Sequence, residues 1–116
     1  MRRWILVSAA LLLASLTGVS AAGKGMRFWN LTSATVSNLQ LSPAGKDNWG
    51  SNQTLNDKDK EVDHDERVRV TGIEPGRYDA KVGYPKGRTC VVRNIEIAAD
   101  AVFSIGDKDL KDCKKK

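Results

Sequence analysis

Apolar and polar residues alternate with a period of two along much of this chain, which is the pattern of half-buried β-strands. The clearest alternation spans residues 77–84, where the residues of one parity are apolar: Tyr78, Ala80, Val82 and Tyr84. We expect these four to point to one side of the strand and the intervening residues, Arg77, Asp79 and Lys81, to point to the other. No segment after residue 22 sustains the 3.6-residue apolar period of a helix. The pattern therefore predicts an all-β fold.

Five further runs have strand character: residues 27–31, 36–41, 67–71, 89–97 and 101–105. Proline and glycine mark turns between several of them, at residues 43–45, 74–76 and 84–87. The alternation within 89–97 becomes unclear at Arg93 and Asn94, so we expect a β-bulge there. Six or seven short strands with close turns predict a small antiparallel β-sandwich of immunoglobulin-like size.

Two aromatic residues are expected to contribute to the core. Tyr78 follows a turn at Pro75 and Gly76, an arrangement common where the chain of a β-sandwich crosses between sheets. We expect its ring to fill core space and its hydroxyl to find a nearby backbone partner. Trp29 lies next to Phe28 on the first strand and is also expected in the core.

The beginning of the chain has the organisation of a secretory signal peptide. Arg2 and Arg3 precede a 13-residue apolar stretch at 4–16, and small residues follow at 19–22. Thirteen helical residues span only ~20 Å, against a hydrocarbon core of roughly 30 Å, which argues against a membrane anchor. Cleavage after Ala21 or after Ala22 fits equally well. We therefore expect a removed signal peptide at 1–22, one domain at 23–113, a basic tail at 114–116, and a periplasmic or secreted location.

The net charge argues against nucleic-acid binding. The formal charge is +5, but loss of Arg2 and Arg3 leaves 17 basic and 14 acidic residues, a net +3. The three terminal lysines, at 114–116, account for all of this excess. A nucleic-acid binder should carry its excess positive charge on a face of the folded domain. Here the folded part has no net charge.

Both cysteines, Cys90 and Cys113, follow the signal peptide. An even count of cysteines in an exported chain favours a disulfide, although free thiols or intermolecular bridges are alternatives. We expect the intramolecular bond, which would tie the C-terminus to a central strand. On the chain-entropy model, linking two residues 23 positions apart stabilises the domain by about 3 kcal/mol.

An acidic segment at 56–66 is a candidate cation site. It contains six carboxylates: Asp57, Asp59, Glu61, Asp63, Asp65 and Glu66. The first five alternate along the chain, and hard cations such as Ca²⁺ take oxygen ligands from loops of this kind. An EF-hand pattern fails, because counting from Asp57 the sixth and twelfth positions are Val62 and Val68 instead of glycine and glutamate. The segment is therefore either a solvated loop or a weak Ca²⁺ or lanthanide site formed by the five alternating carboxylates; no other cofactor is expected.

The single histidine, His64, limits the chemistry that the chain can perform. A Ser-His-Asp triad or a transition-metal site would have to use it within the acidic segment, where we expect poor preorganisation. Glycoside hydrolysis needs two carboxylates across a rigid cleft, which a domain of 94 residues rarely builds. We expect no enzymatic activity and assign no catalytic residue.

Trp49 lies in a polar loop at 46–52, beside Asp47 and Asn48. An aromatic ring in such a setting can stack on a sugar or anchor a protein partner. Alternatively, the ring folds back to cap the domain, with Asp47 stabilising a turn. These three residues form the candidate contact surface.

Three segments resemble a group of small exported bacterial proteins: residues 30–32 (NLT), 39–50 (LQLSPAGKDNWG) and 72–79 (GIEPGRYD). The group shares a strand, an S-P-x-G-x-D-x-W-G loop and a P-G-x-Y-D hairpin, and the resemblance covers most of the chain after the signal peptide. It implies an exported β-rich domain and carries no activity over to any residue. Some similar sequences bear the name argininosuccinate lyase, but those enzymes are large helical tetramers, which 94 residues patterned as strands cannot build.

Together these features predict an exported, non-enzymatic module that binds an envelope protein or a glycan, or contributes to envelope structure. The alternatives are a cation-binding protein acting through the acidic segment and a small periplasmic enzyme. The sequence predicts neither a nucleic-acid partner nor a membrane anchor.

Overall fold

Seven β-strands form in a computed structural model that describes residues 25–115. They are β1 Arg27–Leu31, β2 Asn38–Pro43, β3 Arg67–Arg69, β4 Gly76–Gly83, β5 Thr89–Ile97, β6 Val102–Gly106 and β7 Lys111–Lys114. Two 3-10 helices lie at Gln53–Asn56 and Asp107–Asp109, and nothing in the described range is a helix long and apolar enough to cross a membrane. The predicted signal peptide and its cleavage sites lie outside the described residues.

The strands make two sheets, with the orders β3-β1-β6 and β2-β4-β5-β7. This confirms the all-β prediction, and the four-stranded sheet is antiparallel as expected. The prediction is wrong for the three-stranded sheet, which is mixed, because β1 is antiparallel to β3 but parallel to β6. The register shows the direction, because Arg27 pairs with Val102 and Leu31 pairs with Gly106, so both strands run the same way. The Arg27 N–H also donates to the Ala101 carbonyl at 3.0 Å, just before β6. Alternation along the chain carries no information on which strands become neighbours.

The inner faces of both sheets share one hydrophobic cluster. Phe28 of β1 and Phe103 of β6 pack there with ring centroids 5.6 Å apart. The expectation that Trp29 is core is wrong, since alternation along β1 turns it to the opposite side, where it is half-buried. Its indole N–H donates to Asp65 at 2.9 Å, and the Arg67 guanidinium lies 4.0 Å from its ring centroid.

The predicted disulfide between Cys90 and Cys113 is confirmed. Cys90 is buried on β5, an interior strand, and Cys113 lies on the neighbouring edge strand β7. Sequence alternation missed β7, because every residue of this short strand is exposed. Lys114, predicted to begin a basic tail, instead belongs to β7 and pairs with Thr89.

The pairing of β4 with β5 contains the predicted bulge. Tyr78 lies opposite Ile95, and Ala80 lies opposite Val92, so two β5 residues face Asp79 alone. The extra residue bends the strand locally, and Asn94 takes a left-handed backbone conformation with φ of 59°. The result is a kink in β5 directly beside Asp79.

The Tyr78 hydroxyl donates to the Glu74 carbonyl at 2.6 Å, as expected. The bond spans the point where the chain leaves β3 in one sheet and enters β4 in the other. It resembles the tyrosine corner of immunoglobulin-type domains, where a tyrosine hydroxyl bonds to backbone a few residues upstream.

Two Asn-x-Thr segments form the same hydrogen-bonded turn. In each, the asparagine side-chain oxygen accepts both the backbone N–H and the hydroxyl of the threonine two residues later: Asn30 with Thr32, and Asn52 with Thr54. The Asn30 amide also donates to the Ala34 and Val62 carbonyls, which satisfies this fully buried group. These segments are therefore structural turns that hold loops against the strands.

Removing the disulfide should destabilise the domain without changing its fold. We expect the double variant Cys90→Ala/Cys113→Ala to lose about 3 kcal/mol of unfolding free energy, because the unfolded chain regains loop entropy. Urea unfolding at neutral pH measures this loss, and wild-type protein reduced with dithiothreitol is the matched control. An unchanged urea midpoint in both samples would contradict the assigned role of the bond.

Candidate binding surface

The outer side of the four-stranded sheet carries a cavity of about 640 Å³, here named the outer-face groove. Its lining residues are Lys81, Thr89, Val91, Arg93, Asp112, Cys113 and Lys114. Alternation along β5 puts Thr89, Val91 and Arg93 on one side, and the antiparallel pairing places Lys81 of β4 opposite Val91. Charged side chains from three neighbouring strands therefore meet on one surface.

The polar loop after β2 folds back along that strand and flanks the groove. The Gly50 N–H donates to the Leu41 carbonyl at 2.9 Å, and the Asn48 N–H donates to the Ser42 hydroxyl at 2.8 Å. Gly45 makes the reversal possible with a φ of 78°, a conformation that glycine adopts at no steric cost. These bonds fix the backbone on both sides of Trp49.

Trp49 is half-buried beside the sheet. Its exposure is intermediate between the two arrangements that the sequence left open, which were a ring free to contact a partner and a ring folded back to cap the domain. The Lys81 ammonium lies 4.6 Å from its ring centroid, within range of a cation–π interaction. Asp47 and Asn48 are exposed. None of these three loop residues lines the outer-face groove, but Lys81 contacts both the groove and Trp49. Arg93 likewise lines the groove and lies 3.3 Å from Asp47, so the predicted contact surface and the groove are neighbours.

Asp79 is the buried charge of this region, with 1% of its surface exposed. One carboxylate oxygen accepts the Gly45 N–H at 2.9 Å and a guanidinium N–H of Arg93 at 3.0 Å. The other oxygen accepts the Asn94 N–H at 2.9 Å. Alternation correctly predicted that Asp79 points away from Tyr78, Ala80 and Val82. It did not predict the burial of Asp79, which comes from the turn containing Gly45 and from the Arg93 side chain.

These contacts determine the charge state of Asp79. Burial raises the pKa of its carboxyl, but the hydrogen bonds from Gly45, Asn94 and Arg93 outweigh that effect and hold the pKa below the ordinary value of 3.8. The bonds to Asp79 and Asp47 in turn raise the pKa of Arg93. Asp79 is therefore ionised at neutral pH and serves as a fixed anchor.

Arg93 joins two of the three segments that carried the resemblance. Its guanidinium lies 3.0 Å from Asp79, the last residue of the P-G-x-Y-D segment, and 3.3 Å from Asp47 of the S-P-x-G-x-D-x-W-G loop. Gly45 of the same loop donates to Asp79 directly. The two segments thus form one local structure, in which Asp79 and Gly45 have structural roles and Trp49 remains accessible.

The acidic segment does not bring its carboxylates together. Across residues 25–115, no three His, Cys, Asp or Glu side chains are grouped as a metal ion would require. Several of them instead accept hydrogen bonds within the protein: Asp57 from the Asp59 N–H, Asp63 from the Thr35 hydroxyl, Asp65 from the Trp29 indole and Glu66 from the Asp63 N–H. The other two carboxylates of the segment, Asp59 and Glu61, accept no such hydrogen bond from the described residues. Cation binding here stays a prediction, which calorimetric titration with Ca²⁺ tests.

His64 lies apart from the outer-face groove. Its Nδ1 is 2.8 Å from the Thr32 carbonyl oxygen, which makes this nitrogen the donor. The groove itself contains no histidine. Its chemistry is that of ammonium, guanidinium, hydroxyl and carboxylate groups, which suits binding through charge and hydrogen bonds.

Comparisons of the chain with protein-family models, with curated proteins and with solved structures found no match. The resemblance to small exported bacterial proteins stays a prediction based on the three quoted segments.

Sequence reasoning identified Asp47 and Trp49 but missed Lys81, Arg93 and Lys114. Arg93 had one available signal, since the predicted bulge marked its position as irregular. Lys81 and Lys114 had none, because exposed lysines are ordinary on any strand. Only the pairing of β4, β5 and β7 brings them to one cavity.

The Asp79 anchor makes a testable contribution to stability. At pH 7 we expect Asp79→Asn to lose about 2 kcal/mol of unfolding free energy, because hydrogen bonds to a charged group are replaced by weaker or mismatched ones. Since the folded-state pKa is depressed, the contribution of the wild-type carboxylate is complete above roughly pH 5 and is lost as the pH falls through the folded-state pKa.

Urea unfolding of both proteins at a series of pH values measures this difference. The gap between wild type and Asp79→Asn should narrow as the pH falls below about 4. A gap that is constant with pH, or that widens in acid, would show that the Asp79 charge does not stabilise the fold.

Proposed function

We propose that this chain is an exported, non-enzymatic binding module. Its contact surface is the outer-face groove together with Trp49, and its ligand is a negatively charged glycan of the cell envelope. We also propose that the two sheets form a β-sandwich of immunoglobulin-like size. The alternative partner is an envelope protein, which the experiment below distinguishes.

The charge of the groove supports an anionic ligand, and this observation carries the proposal. Its lining holds three cations, Lys81, Arg93 and Lys114, and one carboxylate, Asp112. Within residues 25–115, neither Lys81 nor Lys114 has a carboxylate within 4.0 Å. Both ammonium groups are therefore available to carboxylate or phosphate groups of a ligand, while Arg93 is held in place by Asp79.

The surroundings of the groove suit a sugar chain. Thr89 offers a hydroxyl for hydrogen bonding, and the half-buried Trp49 ring continues the surface beyond Lys81. A cavity of about 640 Å³ lies within the range of roughly 300–1,000 Å³ that is common for ligand sites. A sugar chain could contact the groove and Trp49 together.

Two features support export. The predicted signal peptide at 1–22 would direct the chain out of the cytoplasm. The Cys90–Cys113 disulfide is favoured in an oxidising compartment such as the periplasm or the extracellular space. Both agree with a ligand in the cell envelope.

Substitution of Trp49 tests the contact surface. We expect Trp49→Ala to weaken binding to an isolated envelope fraction by about tenfold, since stacking on an aromatic ring and its cation–π contact are both lost. Co-sedimentation at increasing protein concentration measures the affinity. Binding of the wild type should also weaken as salt is raised, because exposed charges are screened.

Trp29→Ala is the matched control, because Trp29 is also half-buried and also lies under a cation, but on the other sheet. Its thermal midpoint should fall about as far as that of Trp49→Ala, while its envelope binding stays at the wild-type level. Unchanged envelope binding by Trp49→Ala would overturn the proposal. So would a fall in the thermal midpoint of Trp49→Ala that is much larger than that of Trp29→Ala. Binding that disappears after protease treatment of the envelope would identify a protein partner instead.

A further inference from the structure

A second cavity, of about 370 Å³, lies at the tip of the β4–β5 hairpin. Ala34, Tyr84 and Pro85 provide its apolar surface, and three basic residues complete most of its lining: Lys86, Arg88 and Lys115. It shares no lining residue with the outer-face groove. The cavity thus joins an apolar wall to a cluster of positive charge.

The positive charge of this cavity is not balanced by a lining carboxylate. Its lining contains no Asp or Glu. In the described part of the chain, none of its three cations forms a salt bridge. Asp107 is close enough for Arg88 to help lower the pKa of its carboxyl, but the main cause of that shift is the Ser33 N–H, to which Asp107 is bonded at 2.9 Å.

Arg88 is held over the apolar wall. Its guanidinium carbon lies 5.1 Å from the Tyr84 ring centroid, and one of its N–H groups lies 3.9 Å from the Cys113 sulfur. The hairpin turn fixes the backbone below it, since the Tyr84 N–H donates to the Arg88 carbonyl at 2.9 Å. The remaining N–H groups of Arg88 can donate to an anion without a large rearrangement.

Tyr84 is itself unusual, because it is 93% buried yet its hydroxyl oxygen has no hydrogen-bond partner among the described residues. Burial raises the pKa of Tyr84, and the nearby Thr32 hydroxyl, which itself donates to Asn30 at 2.6 Å, partly offsets that rise. Because this oxygen is buried, Tyr84 offers a ligand its ring surface and not its hydroxyl.

We propose that this cavity binds a small amphiphilic carboxylate, with its apolar body against Ala34, Tyr84 and Pro85 and its carboxylate on Arg88. Lys86 and Lys115 add favourable charge at the opening. Burial of the apolar body supplies affinity, and the guanidinium selects for a negative head group because it matches carboxylate geometry. This site is independent of the proposed glycan surface.

Titration with octanoate tests the proposal, followed by NMR chemical shifts of the backbone amides of Ala34, Lys86 and Arg88. We expect saturable shifts with octanoate, and about tenfold weaker binding with octanol, which keeps the chain but lacks the charge. Acetate, which keeps the charge but lacks the chain, should give no saturable shift. Weaker binding of octanol and no binding of acetate would together show that the cavity recognises both the chain and the charge.

Arg88→Gln should weaken octanoate binding by about tenfold or more. Arg77→Gln is the matched control, since Arg77 is an exposed arginine of β4 that pairs with Glu96 at 3.6 Å and touches neither cavity. Circular dichroism establishes that both variants are folded. Absence of octanoate shifts in the wild type, equal binding of octanol, or unchanged octanoate binding by Arg88→Gln would each overturn the proposal.

Discussion

A buried carboxylate joins three parts of this molecule that lie far apart in the chain. Asp79 on β4 accepts hydrogen bonds from Gly45 in the turn after β2 and from Arg93 and Asn94 in the bulge of β5. Burial of a charge is costly unless hydrogen bonds satisfy it. Here three hydrogen bonds reach the two carboxylate oxygens, and the two backbone donors, Gly45 and Asn94, lie in the folded-back turn and in the bulge. The shape of the turn, the kink of β5 and the position of Arg93 therefore depend on one another through this group.

Much of the strand framework could be predicted from the sequence, because apolar residues alternate wherever a strand has one buried face. The bounds of β1 and β5 agree with the predicted 27–31 and 89–97, and the bulge lies where the alternation failed. The strand β7 could not be predicted in this way, since it buries no face. It is held by pairing with β5 and by the disulfide, and only the disulfide had a sequence signal. The parallel pairing of β1 with β6 was also missed, because alternation determines which residues are buried and not which strands become neighbours.

The candidate surface was predictable only in part, for a related reason. Trp49 and Asp47 were found because an aromatic residue in a polar loop is conspicuous. Alternation gave the correct side for Asp79 but not its burial, since the cover comes from a turn more than thirty residues earlier. Long-range contacts of this kind have no local pattern in the chain.

Amide hydrogen exchange in the Asp79→Asn variant tests the anchoring role of Asp79 most directly. The exchange rates of the Gly45 and Asn94 amides should rise by about tenfold or more, because their acceptor is weakened. The backbone N–H of Asn30 on β1, which belongs to the other sheet, donates to the Glu66 carbonyl. Its exchange rate should stay at the wild-type value after correction for global stability. If Gly45 and Asn94 exchange as slowly as in the wild type, Asp79 does not hold the turn and the bulge together, and the central claim is contradicted.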